Sequence, residues 1–302
     1  LLSLEVPAYR VDVTREADVI EEILRIYGYN NVEIPAHVHS TLAYAKHPDR
    51  DTVQNSISDF LTANDFNEIM SNSLTKASYY EGNPTYPIEC CVKIINPLSN
   101  DLSVMRQTLL FNALEAIQLN TNHRNPDLKV YEFGNVYRYD ASKKEEGGLA
   151  PYRESQKLGI AITGDDHRAS WNIKSEPTDF FTLRGFAEKI LSRFGQDIYR
   201  LQTESIDNEL YSEALGIRMA GKDIMHIGVV SPQVMALFEL DNEVYFLEPD
   251  FTALTNTTKK HMVRADELSK YPEVTRDLAL LMDKSGSSSQ LRETALQAEK
   301  KI

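Results

Sequence analysis

Cysteine is scarce in this 302-residue chain, which contains only Cys90 and Cys91. Because the two residues are adjacent, they cannot join distant segments by a disulfide bond, and no Cys and His spacing typical of a zinc site occurs. We therefore expect a protein of the reducing cytoplasm. No segment approaches the run of about 18 apolar residues that a transmembrane helix needs, so we expect no membrane partner.

Basic residues are in deficit, because 32 Lys and Arg against 45 Asp and Glu give a net charge of −13. A chain this acidic is not expected to bind nucleic acid non-specifically, since that affinity comes from clustered Lys and Arg. Glycine-rich phosphate loops and the G-x-S-x-G nucleophile motif are also absent. The first residues lack the features of a signal peptide, and the missing initial Met indicates a piece of a longer protein.

Hydrophobic residues make up 42% of the chain and charged residues 25%, as in ordinary globular proteins. The length corresponds to two domains of roughly 150 residues. Helical and strand patterns mix without strict alternation, which favours an α+β fold with an antiparallel sheet. Helices are predicted at 19–27, 51–64, 108–120, 180–194 and 289–302, and a short one after Pro232. Strands are predicted at 66–74, 92–95, 129–133, 136–139, 158–163, 244–247 and 276–282, with a hairpin at 217–230 that turns at 220–223. Residues 141–151 are predicted to form a mobile loop, and residues 255–260 a domain boundary.

The candidate site is an acidic cluster near the start of the chain, formed by Asp12, Asp18, Glu21 and Glu22. The last three share one helix face, and magnesium prefers carboxylate oxygens and water. The same residues also fit a structural alternative, in which Asp18 and Glu21 form a capping box and Arg25 pairs with Glu21. Spacing alone favours helix capping and solvated charge.

Several segments resemble, in the same order, parts of bacterial phenylalanine–tRNA ligase β subunits. They are Arg10–Val32, Asn96–Leu110, Val130–Tyr137, Asp179–Gly185 and Tyr271–Ala279. The resemblance implies the end of a winged-helix-like module at 1–39, a class II aminoacyl-tRNA synthetase-like core at 40–262 and the truncated start of a ferredoxin-like anticodon-binding domain at 263–302. The core is expected to be an antiparallel sheet with flanking helices.

The resemblance also implies a function. The family enzyme attaches phenylalanine to its tRNA with ATP and magnesium, and two catalytic α subunits pair with two β subunits. The family's magnesium ligands fall here on Asp12, Asp18, Glu21 and Glu22, and the single ion is expected to be shared with the α subunit. Contacts with tRNA are expected in the full-length complex.

The synthetase-like core is expected to lack catalysis of its own. Leu158 stands where the catalytic relative has a Glu that contacts adenine, and leucine cannot accept that hydrogen bond. No G-x-G-x-x-R motif occurs, and Arg138 alone supplies little of the charge that ATP needs. We therefore predict a non-catalytic scaffold that binds no ATP itself. Residues 60–74 are predicted to expose an apolar patch of several hundred Å² that pairs with the α subunit.

Two alternatives remain at this stage. A free-standing adenylate-forming ligase would need its own ATP site. A nucleic-acid-binding winged-helix module would have to bind despite three basic and seven acidic residues in positions 1–39.

Overall fold

The computed structural model describes residues 3–37, 39–41, 49–167, 169–258, 270–272, 274–283 and 286–298. The chain divides into two compact units, residues 1–46 and 47–302, which are treated separately below. Within the described ranges, no helix has the length and apolar character needed to cross a membrane.

The first unit is built around helix α1, Glu16–Tyr27. The carboxylate of Asp18 accepts the backbone N–H groups of Arg15, at 2.8 Å, and of Thr14, at 3.0 Å. Asp18 is thus the third helical residue rather than the N-cap, and the predicted capping box with Glu21 is wrong. The first N–H groups of a helix have no acceptor within the helix. A carboxylate on the third helical residue can reach back and accept the N–H of the N-cap residue.

Gly28 ends this helix, as its position in the sequence predicts. Its φ is +93°, a value that a residue with a Cβ atom rarely adopts, and its N–H donates to the carbonyl of Leu24 at 2.7 Å.

The second unit contains the remaining helices and all the described strands. The helices are α2 Arg50–Thr62, α3 Leu110–Asn122, α4 Phe180–Arg193, α5 Pro232–Ala236, α6 Phe251–Thr258 and α7 Ser288–Ala298. The strands are β1 Asn67–Glu68, β2 Leu74–Thr75, β3 Val104–Met105, β4 Leu128–Tyr139, β5 Tyr152–Thr163, β6 Asp165–His167, β7 Glu176–Pro177, β8 Gln202–Ile206, β9 Tyr211–Met219, β10 Lys222–Val230 and β11 Val244–Pro249.

Seven of these strands form one sheet in the order β1-β4-β5-β11-β10-β9-β8. Only β1 runs parallel to its neighbour, and every other pairing is antiparallel. The predicted α+β class with an antiparallel sheet is therefore confirmed. Side chains alternate between two apolar layers, as they must along a pleated strand. One layer contains α3 with Val130 and Val136, and the other contains α2 and α4 with Tyr131 and Leu158.

Strand β4 is continuous, so the predicted break at Gly134 and Asn135 is wrong. Its pairing with β5 runs without interruption from one end to the other. Glycine is needed here for close approach rather than for a turn. A Cβ atom at Gly134 would lie 2.7 Å from Cδ2 of Leu109, and closer still to the guanidinium of Arg106.

Two further predictions also need correction. Residues 92–95 form no strand, and only Lys93 makes a single bridge, to Val104. The strand predicted at 66–74 shrinks to the two short strands β1 and β2. Residues 255–258 belong to α6, whose Leu254 packs into the core. Residues 259–260 lie outside the described residues, so the domain boundary at 255–260 stays a prediction.

The C-terminal segment keeps its predicted helix but loses its predicted strand. Helix α7 begins one residue earlier than predicted, and residues 299–302 of the prediction lie outside the described residues. Residues 276–282 are exposed and have no regular secondary structure, and within the described ranges no strand pairs with them. A strand is defined by its pairing, so the β-forming composition of this segment is not sufficient.

The predicted hairpin at 217–230 is confirmed and is longer than expected. Ala220 and Gly221 both have positive φ, as a tight two-residue turn between twisted strands requires. The short helix after it begins as predicted, because Ser231 caps α5 by accepting the N–H of Val234 and Pro232 occupies its first turn. Between β4 and β5, the predicted loop contains a short 3-10 helix, Ala141–Glu146.

Replacing Gly134 by Ala tests the close approach over β4. We expect Gly134→Ala to lower the free energy of unfolding by about 1–3 kcal/mol, because the new methyl group overlaps Leu109 and Arg106. Gly185→Ala is the matched control, since a Cβ atom there meets nothing within 4 Å and alanine favours a helix. Urea unfolding of both variants measures the difference. If Gly134→Ala were as stable as the parent chain, strand β4 would tolerate a side chain at position 134.

Candidate functional site

Arginine side chains neutralise the predicted acidic cluster of the first unit. Arg10 donates to both carboxylate oxygens of Asp12, at 3.2 and 3.0 Å, and to Glu22 at 2.7 Å. Arg25 also donates to Glu22, at 3.2 Å, and not to Glu21 as predicted. The structure thus brings Asp12 and Glu22 together around one guanidinium. The hydrogen bonds from Arg10 lower the pKa of both carboxyl groups.

Asp18 faces the start of α1 instead. Its carboxylate accepts from the guanidinium of Arg15 and from two backbone N–H groups, which together lower its pKa to about 2. Because the folded-state pKa is depressed, the stabilising contribution is complete above the unfolded value near 4 and is lost as the pH falls through 2.

Glu21, the fourth predicted ligand, is exposed and pairs with no described residue. Within the described ranges, no three His, Cys, Asp or Glu side chains converge closely enough to hold a metal ion. An ion at this site would therefore require Arg10 to leave Asp12 and Glu22. The magnesium site stays a prediction.

A buried ion pair lies at the centre of the second unit. Arg106 and Glu132 are 2% and 5% exposed, and Nη1 of the arginine lies 2.9 Å from Oε1 of the glutamate. Nε of Arg106 donates to the carbonyl of Asn135 at 2.9 Å, and Ser71 donates its N–H to Glu132 at 3.2 Å. The pair therefore ties the segment after β1 and the segment before α3 to strand β4.

A second buried carboxylate anchors the start of α3. Glu248, 6% exposed on β11, accepts the hydroxyl of Thr108 and the N–H of Leu109, both at 2.8 Å. Gln107 is also committed, since its side chain donates to the carbonyl of Pro87 at 2.9 Å. The hydroxyl of Thr108 and the side-chain N–H of Gln107 are thus used in internal bonds, whereas Oε1 of Gln107 is buried with no hydrogen-bond partner among the described residues.

The two residues predicted to mark a lost ATP site differ in their exposure, because Leu158 is buried and Arg138 is exposed. Leu158 is fully buried and belongs to the layer of α2 and α4. Arg138 is exposed, but its cross-strand partner is Arg153, so two like charges face each other. Arg138 pairs with no described residue.

The apolar patch predicted at 60–74 does not form from this segment. Met70 is 93% exposed, but it is the only exposed large apolar side chain there. Leu61 and Phe66 pack into the chain's own core. Phe60 also packs in the layer that contains α2, and Ile69 packs against the opposite layer.

Arg10, Glu132 and Glu248 are the contributors that sequence reasoning missed. The two glutamates interrupt apolar strands, and a charged residue within such a run indicates a buried partner. Arg10 lies two residues before Asp12 in a segment of turns, where neither the helical nor the strand period indicates which side chains meet.

Family models assign both units. A model described as phenylalanyl tRNA synthetase beta chain CLM domain matches residues 34–251, and one described as tRNA synthetase B5 domain matches residues 1–29. The chain belongs to the phenylalanine–tRNA ligase β-subunit family. Named β subunits from Bacteroides fragilis and Porphyromonas gingivalis are 44% and 41% identical over the whole chain. The chain spans 37% of the length of each of these relatives.

Solved structures show what kind of fold this family member has. Two pyrrolysyl-tRNA synthetase structures from Desulfitobacterium hafniense superpose with TM-scores of 0.52 and 0.51, at 13% and 11% identity. They cover 69% and 84% of this chain, which covers 68% and 81% of them. At this identity the likeness concerns the fold alone, which is of the class II synthetase type.

The buried pair predicts a large effect of single substitutions. We expect Arg106→Met to lower the free energy of unfolding by about 3–5 kcal/mol, because Glu132 is left buried without its counter-charge. Adding Glu132→Gln should recover part of this loss. The control Arg200→Met removes an exposed arginine paired with Asp197 and should change stability by no more than about 0.5 kcal/mol. Chemical unfolding of the parent chain and the three variants measures these free energies. A double variant that is as unstable as Arg106→Met would contradict the pairing of Arg106 with Glu132.

Proposed function

We propose that this chain is a non-catalytic scaffold within a phenylalanine–tRNA ligase complex, where it pairs with the catalytic α subunit. The supporting observation is that Arg106, Thr108, Glu132 and Glu248 are all committed to internal bonds. Phosphoryl chemistry needs charged groups turned toward the substrate. Here the buried charges hold the sheet together instead.

The complex proposed here uses ATP and magnesium to attach phenylalanine to its tRNA, with two α and two β subunits. The ATP site belongs to the α subunit, and contacts with tRNA belong to the complex. This function implies the cytoplasm as the compartment. Neither alternative is favoured, because the sequence contains no glycine-rich phosphate loop and both family models belong to phenylalanine–tRNA ligase β subunits or tRNA synthetases.

Association with the α subunit is the direct test. We expect the chain alone to show no phenylalanine-dependent pyrophosphate exchange and to form a stable complex when mixed with the cognate α subunit. Met70→Glu should weaken this complex roughly tenfold or more, because an interface would bury an unpaired carboxylate. Leu119→Glu, at another exposed apolar position, serves as the control.

Light scattering gives the mass of the mixture, and titration gives its dissociation constant. A chain that remains a monomer beside the α subunit would contradict the scaffold proposal. If Met70→Glu bound the α subunit as tightly as the parent chain, only the segment around β1 would be excluded from the proposed interface.

We also propose a single magnesium ion at Asp12, Asp18, Glu21 and Glu22, shared with the α subunit. In the described conformation Arg10 occupies the space between two of these carboxylates, so arginine and ion compete. When bound, the ion would supply the positive charge that Arg10 now supplies. Release of Arg10 would free the oxygens of Asp12 and Glu22 for coordination.

This competition predicts an unusual gain of affinity. We expect Arg10→Met to bind magnesium more tightly than the parent chain, because it removes the competing cation. Glu22→Gln should weaken binding, whereas Glu33→Gln, an exposed change outside the set, should leave it unaltered. Isothermal titration calorimetry measures all four proteins. If neither the parent chain nor Arg10→Met bound magnesium, the proposed magnesium site would be rejected. The acidic cluster would then serve only in helix capping and arginine pairing.

A further inference from the structure

The outer part of the β4–β5 hairpin extends past the rest of the sheet. The two strands stay paired as far as Tyr139 and Tyr152. In the described ranges, however, β1 pairs with β4 only at residues 130–131, and β11 pairs with β5 only at residues 160–163. Residues 138–153, which we call the β4–β5 arm, therefore have no neighbouring strand on either side among the described residues.

Two arginines face each other across the β4–β5 arm. Arg138 and Arg153 are direct cross-strand partners, and both are exposed. Neither guanidinium forms an ion pair or a hydrogen bond with a described residue. Like charges that lie directly opposite each other on a sheet destabilise it. A bound oxyanion would reverse this cost, because it can accept hydrogen bonds from both guanidinium groups.

The carboxylates closest to these arginines along the chain have neutral partners. Asp140 accepts the hydroxyl of Ser142 at 2.6 Å, and Glu154 accepts the side-chain amide of Asn135. The hydrogen bond from Ser142 is the main cause that lowers the pKa of Asp140, and the charge of Arg153 contributes less. Arg153 thus influences Asp140 without forming an ion pair with it.

The β4–β5 arm is a local exception in an acidic chain. It contains four basic and three acidic residues, whereas the whole chain has a net charge of −13. Its two lysines lie in the 3-10 helix at the tip, and two glutamates follow them directly in the same helix. Attraction of an anion is therefore expected to centre on the arginine pair rather than on the tip.

Two tyrosines at the next register position favour RNA over a simple anion. The ring centroids of Tyr139 and Tyr152 lie 5.5 Å apart, and Tyr152 is 48% exposed. Side chains alternate along a strand, so the tyrosines lie on the opposite face of the arm from the arginines. Exposed aromatic rings stack on the bases of single-stranded nucleic acids, while basic groups bind the phosphates. Because paired strands are only about 4.8 Å apart, one RNA strand can follow the edge of the arm and meet both faces.

We propose that the β4–β5 arm binds a single-stranded segment of RNA. In this arrangement Arg138 and Arg153 bridge one backbone phosphate, and a base stacks on Tyr152. The inference rests on the proposed function, in which the RNA is the tRNA of the complex. It adds the residues of this chain that contact the RNA.

Fluorescence anisotropy tests this proposal. A labelled oligouridine of about twelve nucleotides is titrated with the 302-residue chain at about 50 mM salt. We expect the variant Arg138→Gln, Arg153→Gln to bind roughly tenfold more weakly, because the phosphate loses both charged donors. The slope of log K against log salt should become shallower by about 0.7, the value for one phosphate of a single strand. The unfolding midpoint of this variant should equal or exceed that of the parent chain, because the repulsion is removed.

The matched control is Arg124→Gln, Lys174→Gln. It removes the same charge from exposed positions beyond the opposite ends of β4 and β5, so it should bind the oligonucleotide like the parent chain. Tyr152→Leu should weaken oligonucleotide binding several-fold and leave the binding of inorganic polyphosphate unchanged, because only a base can stack on the ring. Unchanged oligonucleotide binding by Tyr152→Leu would reject the assignment to RNA.

Three further outcomes would overturn the proposal. An equal loss of affinity in the control variant would show that net charge alone attracts the oligonucleotide. The parent chain might show no binding. Displacement of the oligonucleotide by a tetraglutamate peptide at equal charge concentration would assign the arm to an acidic polypeptide. Because the α subunit is absent from this titration, each of these outcomes is distinct from a failure of the scaffold proposal.

Discussion

The buried pair of Arg106 and Glu132 is the contact on which the second unit depends. It joins the segment after β1, the segment before α3 and strand β4, which are distant in the sequence. Gly134 makes room for the guanidinium, so the arginine, the glutamate and the glycine form one structural device. Removing charges from water is costly unless they are paired and hydrogen-bonded, so the three segments must meet in this arrangement.

The same principle accounts for the other buried charge of the second unit. Arg106 pairs with Glu132, and Glu248 holds the start of α3, so these buried charges serve the structure of the synthetase-type sheet. A chain whose buried charges hold its own sheet together fits the proposed role of a scaffold.

Much of the fold could be predicted from local pattern. The hairpin at Ala220 and Gly221, the Ser231-Pro232 helix start and the stop at Gly28 each follow from short-range chemistry. The continuity of strand β4 could not be predicted in this way. A glycine within a strand pattern can mark either a turn or the close approach of another group, and only the position of Arg106 in space distinguishes the two. The candidate metal residues were easy to name, but the partners of Asp12 and Glu22 were not, because Arg10 reaches Glu22 across twelve positions.

The sequence by itself determined the family, the α+β class and the absence of phosphate-binding glycine loops, since these depend on residue identity and spacing along the chain. Tertiary structure alone decided that residues 276–282 pair with no strand in the described ranges and that arginines neutralise Asp12, Asp18 and Glu22. The physical reason is that pairing and charge neutralisation depend on distances in space. Those distances are set by how the sheet and its helices pack, not by the order of the residues.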